Sequence, residues 1–165
     1  MVNVRVSTTV LAERAQVWDE LAHIENHVEW MLDAKAIRFL GDERSGMGTR
    51  FECDTRFGPL HLTDLMEITE WEPGVAMGVR HYGAVNGMGR FSLTNAGSST
   101  VVEWEEQLSF PWWLGARVGA LAAKPLFAAL WKGNLRRLGH RILIVNALRR
   151  DSGGSTQQVR LREGS

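Results

Sequence analysis

The sequence predicts an α+β domain: a curved antiparallel sheet of about seven strands wrapped around one long C-terminal helix, with two short helices after the first strand. Three observations carry that prediction. Five stretches between residues 50 and 110 alternate apolar and polar side chains with a period of two, and turn signals separate them. From Leu126 onward, apolar residues instead recur at steps of three and four. The chain has 165 residues and a mass of 18.5 kDa, the size of one domain that buries roughly 70% of its unfolded surface.

The elements follow in order. Val2, Val4 and Val6 alternate with Asn3, Arg5 and Ser7, which makes 2–10 a half-buried strand. Val17 and Leu21 share a face of an amphipathic helix over 12–22, and 23–30 forms a second short helical turn. A brief strand covers 35–41, and a glycine-rich, charged turn covers 42–48. In 50–57, Phe51, Cys53, Thr55 and Phe57 point one way; in 60–72, Leu60, Leu62, Asp64, Met66 and Ile68 do. Glu72-Pro73-Gly74 turns the chain. Val75, Met77, Val79 and His81 then share a face, and two further strands cover 88–95 and 100–110. On the last of these, Val102, Trp104, Glu106, Leu108 and Phe110 lie together.

Strands joined by short turns make an antiparallel sheet, whose apolar face must be covered. The cover is the helix from Leu126, about six turns long, with Phe127, Leu130, Trp131, Asn134, Leu135, Leu138, Ile142 and Val145 in its stripe. Pro125 suits its first turn. Residues 1–149 are expected to form one ligand-binding domain, and the polar, glycine-rich 150–165 a disordered tail.

Composition excludes several classes. Hydrophobic residues make up 44% and charged residues 23%, an ordinary globular balance. One cysteine rules out an intramolecular disulfide and suits a reducing cytoplasm. The N-terminus carries no signal-peptide pattern. The net charge is zero, but residues 1–110 hold 9 basic and 17 acidic residues, and residues 111–165 hold 10 basic and 2 acidic. Either the basic helix meets an acidic sheet, or it offers a face to anionic lipid. Nucleic acid is not expected, because the basic run has no motif context.

The element order resembles the helix-grip fold of the START-like superfamily, also called SRPBCC or polyketide cyclase/dehydrase-like. Local wording agrees over about residues 2–148: VWDELAHIENHVEW at 17–30, GMGTRFEC at 46–53, MEITEWEPG at 66–74 and NLRRLGHRI at 134–142. The resemblance implies a pocket between sheet and helix. It leaves activity open, because the superfamily includes lipid carriers, hormone receptors and aromatase/cyclases.

Three polar residues fall on apolar strand faces: Asp64, His81 and Glu106. They either satisfy one another in the core or face a ligand, and burial would raise the pKa values of the acids. With Arg90, they are the candidates for acid–base work. The expected ligand contacts are Asp64, Met66, Met77, His81, Trp104, Glu106, Phe127, Leu130, Trp131 and Asn134. Cys53 reads as a small core residue. His23 and His27, four apart, lack a third ligand, so neither a metal nor another cofactor is expected.

Trp112 and Trp113 open an apolar stretch, 111–131, that holds Arg117, Lys124 and Pro125. It is a poor membrane span and reads as a loop or short helix beside the pocket mouth, suited to peripheral membrane contact. The expected function is binding or transport of a small hydrophobic molecule: a lipid, an isoprenoid or an aromatic polyketide. The alternative is an aromatase/cyclase-like enzyme that assists aldol closure and dehydration. Nothing in the sequence sets an oligomeric state.

Overall fold

In the computed structural model of the chain, residues 1–58, 60–109 and 118–162 are described, with the backbone course alone given at 57, 60, 118–123 and 151–162. Trp112 and Trp113 lie outside the described residues.

Seven strands form one curved antiparallel sheet: β1 (Val2–Val10), β2 (Ala34–Phe39), β3 (Arg50–Phe57), β4 (Leu60–Glu72), β5 (Ala76–Tyr82), β6 (Asn86–Ala96) and β7 (Ser99–Ser109). Between β1 and β2 lie α1 (Arg14–Ala22) and a 3-10 turn, Ile24–Glu29. The spatial order β1-β7-β6-β5-β4-β3-β2 explains the connections. After β1 the chain crosses to the far edge through its short helices. It then returns as a meander of neighbouring strands until β7 pairs with β1, Val4 opposite Glu106 and Val6 opposite Trp104.

Among the described side chains the expected faces hold, Phe57, Leu60 and Phe110 lying outside them; β2 slips register between Ala34 and Ala36, and β4 carries an interruption that its alternation does not reveal. On β4, Leu62, Asp64, Met66 and Ile68 face inward, but the register shifts between Ile68 and Glu70. A bulge reverses the parity of a strand. Past it, Trp71 turns to the core, where its ring meets Trp18 edge-on at 5.1 Å, and Glu70 turns out. Gly78 permits the bulge, since a Cβ there would lie 2.9 Å from Glu70 Cβ.

Helix α2 (Val118–Arg162) covers the concave face and packs on β1. Phe127, Trp131, Asn134, Leu135, Leu138 and Ile142 are its buried stripe. The helix begins earlier than expected, so Pro125 lies inside it rather than in its first turn. Proline lacks an N–H, so the Leu121 carbonyl has no helical partner at that point. Residues 118–131 are part of this helix, not a loop leading to it. The helix also runs on to Arg162 through the stretch expected as a tail. That stretch has no proline to end the backbone ladder, and helix extends one residue at a time once nucleated.

The charge asymmetry resolves in part within the molecule, against α1 and the 3-10 turn rather than the sheet. Arg141 pairs with the buried Glu20 and lies 3.8 Å from Glu29; Arg149 pairs with Asp19 at 2.9 Å. The acids on the convex face have their own partners, Arg38 with Asp54 and Arg90 with Glu70 among them.

Candidate functional site

A cavity opens between the concave sheet and α2. Water centres have about 110 Å³ to occupy in it, several times what one molecule needs. Six strands contribute, β2 and β6 through Ile37 and Phe91, and most of the wall comes from four: Phe51, Cys53 and Thr55 from β3, Leu62, Asp64, Met66 and Ile68 from β4, Met77, Val79 and His81 from β5, Trp104, Glu106 and Leu108 from β7. Phe127 and Trp131 close it from the helix, their rings stacked at 5.2 Å, and Trp131 lies 5.3 Å from Trp104. The wall is therefore mainly aromatic and aliphatic, with a polar cluster set into it.

That cluster joins three residues that the sequence singles out. Glu106 sits on β7 opposite Gly89 of β6, which in turn lies opposite Val79 of β5. A Cβ at Gly89 would collide with the Glu106 carboxylate. The missing side chain is what lets Glu106 reach across β6 towards β5. There its Oε2 lies 3.5 Å from His81 Nε2, and its Oε1 accepts the Trp104 indole N–H at 2.9 Å. Asp64 is adjacent, beneath Gly83, where a Cβ would collide with it. Among the buried side-chain atoms without a hydrogen bond in the described residues are Asp64 Oδ1, His81 Nε2 and Glu106 Oε2.

Burial pulls the His81 pKa down, but Glu106 and Asp64 more than offset it, so His81 is raised above its ordinary value. Burial raises Asp64; the Val85 and Ala84 amides and His81 only partly oppose it. The imidazole is thus held towards its charged form beside Glu106 and one of the acids towards its neutral form. Such a group can donate or accept a proton or hydrogen bond inside an otherwise apolar space.

Of the expected contacts, Asp64, Met66, Met77, His81, Trp104, Glu106, Phe127 and Trp131 line the cavity. Two do not. Asn134 is fully buried below it: its Nδ2 donates to Asp33 at 2.7 Å and its Oδ1 accepts the Leu32 N–H at 3.1 Å. Leu130 faces an outer groove with Leu126, Leu32 and Arg56. Helical spacing places a residue on a face but not at a height along it, so it does not separate these two from the residues that line the cavity. Arg90 is a correction as well: it lies on the convex face, bidentate to Glu70 at 2.7 and 2.9 Å.

Asp33 and His27 are among the lining residues outside the expected contacts. Asp33 lies in a short connection with no periodicity to read; burial raises its pKa and the Asn134 amide only partly offsets that. His27 is buried, donates Nε2–H to the Leu21 carbonyl at 2.9 Å and is pushed down to about 4 by burial. The exposed His23 instead bonds the Asp19 carbonyl, so the two histidines do not share a site. No group of three or more ligating side chains that could hold a metal occurs among the described residues. Cys53 lines the cavity, and burial lifts its thiol to about 11, which keeps it protonated and unreactive. Among the described residues no helix is long and apolar enough to cross a membrane.

Residues 1–142 match the family described as polyketide cyclase/dehydrase and lipid transport. No curated protein matches the chain. Solved structures share the fold at low identity. A START superfamily protein from Mycobacterium smegmatis is 13% identical with a TM-score of 0.73, covering 87% of this chain and 98% of its own. The Zhui aromatase/cyclase from a Streptomyces species is 13% identical with a TM-score of 0.63, covering 85% and 92%. The di-domain ARO/CYC StfQ from the steffimycin biosynthetic pathway is 15% identical with a TM-score of 0.69, covering 84% of this chain and 49% of its own.

Proposed function

Because this chain belongs to the polyketide cyclase/dehydrase and lipid transport family, we propose that it binds and carries a small hydrophobic molecule, a lipid, isoprenoid or aromatic polyketide, in the cavity between sheet and helix. The observation that carries this reading is the unfilled interior itself. Aromatic and aliphatic side chains make up most of the wall of a space of about 110 Å³ for water centres, and Asp64, His81 and Glu106 cluster on it. An apolar guest replaces water there and gains roughly 25 cal/mol for each Å² it buries, before the costs of association. The lone, buried Cys53 suits work in a reducing compartment such as the cytoplasm.

The test is a thermal shift with indole as the probe. Saturating indole raises the Tm of the wild-type protein, by the linkage of binding to folding. Val79→Trp, which fills the cavity from β5, abolishes the shift while circular dichroism stays unchanged. No shift in the wild type, or an equal shift in a folded Val79→Trp, contradicts the reading.

Delivery at an anionic bilayer extends the same reading. Leu126 is exposed beside the outer groove, and Lys132 and Arg136 are exposed further along the helix. Co-sedimentation with anionic vesicles that high salt abolishes supports it; equal pelleting with neutral vesicles opposes it.

An aromatase/cyclase-like enzyme is the second reading, favoured by one feature: His81 and Glu106 face each other 3.5 Å apart at the cavity wall. Such a pair can move a proton beside a ketone. Turnover of a poly-ketone chain that His81→Ala removes would support it.

A further inference from the structure

The lining of the cavity is lopsided in charge. Asp33, Asp64 and Glu106 are carboxylic acids, and no lysine or arginine lines the space among the described residues. Its basic side chains there are the imidazoles of His27 and His81. His27 is committed to the Leu21 carbonyl through Nε2. His81 already faces Glu106. An anion entering this space finds no free positive partner among the described side chains.

The backbone is shaped to keep the acids there. The missing side chains of Gly83 and Gly89 make room for the heads of Asp64 and Glu106 respectively. Both acids are only 4% exposed. Glu106 Oε1 has its donor in Trp104; Glu106 Oε2 has only His81 Nε2, at 3.5 Å, and Asp64 Oδ1 makes no hydrogen bond of good geometry although the Val85 and Ala84 amides lie beside its carboxyl. A buried acceptor without a donor is costly, and a ligand that supplies one removes that cost.

Resting on the reading of this cavity as a ligand site, we propose that it selects neutral apolar molecules whose inner end donates hydrogen bonds, a hydroxyl being the simplest such group, and refuses molecules whose inner end is a carboxylate or a phosphate. The hydroxyl hydrogen goes to a carboxyl oxygen that lacks a well-placed donor, and the ring system lies against Trp104, Trp131 and Phe127. An anionic end meets no lysine or arginine among the described lining residues and comes up against Glu106, with which the His81 imidazole is already paired.

Calorimetric titration of the full chain at neutral pH tests this with three probes that share one ring system: 2-naphthol, naphthalene and 2-naphthoate. At that pH the phenol is neutral and the carboxylate ionised. The expected order is 2-naphthol tightest, naphthalene about tenfold weaker for want of the donor, and 2-naphthoate weaker than naphthalene. Glu106→Gln and Asp64→Asn, which remove charge at nearly constant shape, narrow the gap between 2-naphthol and 2-naphthoate. Wild-type binding of 2-naphthoate as tight as that of 2-naphthol overturns the proposal, as does naphthalene binding as well as 2-naphthol. Binding by none of the three overturns the ligand-site reading, and the proposal falls with it. The wild-type comparison decides the matter even if a variant does not fold.

Discussion

His27 and His81 are both buried in the same wall, yet burial wins at one and loses at the other. His27 has only a carbonyl partner, so desolvation takes it down to about 4. His81 has Glu106 and Asp64 beside it; against the burial, hydrogen bonding to Glu106 and then the charges of both acids carry it above the ordinary value. The consequences for stability have opposite signs. A folded pKa below the unfolded one means that unfolding takes up a proton, so His27 costs stability as pH falls from about 6.5 towards about 4. A folded pKa above the unfolded one means that the His81 contribution is complete below about pH 6.5 and fades as pH rises through its folded value. His27→Gln keeps a donor for the Leu21 carbonyl. Denaturant unfolding is expected to show that this variant loses about 3 kcal/mol less than the wild type between pH 7 and pH 4. His81→Gln is expected to remove a decline in stability above neutral pH, measured the same way. At this scale the sequence is informative where a polar residue breaks an apolar period: Asp64, His81 and Glu106 are all legible so. Asp33 is not, because it lies outside any period, and the spacing of His23 and His27 does not show that α1 ends at Ala22, before either of them.

Among elements, the glycines of β6 and the polar tie of α2 decide the shape of the site. Gly89→Ala places a methyl against the Glu106 carboxylate, an overpacking expected to cost about 1–3 kcal/mol in chemical denaturation. Pairing it with Glu106→Ala recovers part of that loss, because the clash is specific to that side chain. Asn134 holds the connection before β2 to the helix through Asp33 and Leu32. Asn134→Ala leaves Asp33 without its amide donor and the Leu32 N–H without its acceptor, so a loss of about 1–3 kcal/mol is expected. Helix spacing revealed Asn134 as inward-facing, but not that it is spent on a structural bond. The bulge at Ile68/Glu70 was likewise invisible. The segment 60–72 can be written as one alternating strand, and only pairing with β5 shows where the alternation slips.

For the molecule as a whole, the nearly equal and opposite charges of its two parts are structural in part. Arg141 answers a glutamate whose side chain is 9% exposed, whereas Arg149 and Asp19 are 62% and 46% exposed. Breaking a buried pair strands a charge, whereas an exposed pair contributes little. Arg141→Met is therefore expected to lower stability by about 3 kcal/mol and Arg149→Met by less than about 1 kcal/mol, read from paired denaturation curves. Fold class was legible because period and order suffice for it: a meander of strands must curl around its one long helix. What the cavity takes was not, because volume depends on how side chains from six strands and a helix meet, and no single segment records that. The methionines allow the central claim to be tested directly. Met31, Met66 and Met77 line the cavity, while Met1, Met47 and Met88 are exposed elsewhere. With the methionine methyl groups labelled, NMR titration with indole should move the signals of Met31, Met66 and Met77 and leave those of Met1, Met47 and Met88 in place. Movement confined to the exposed three, or no movement at saturating indole, would contradict a ligand site between sheet and helix.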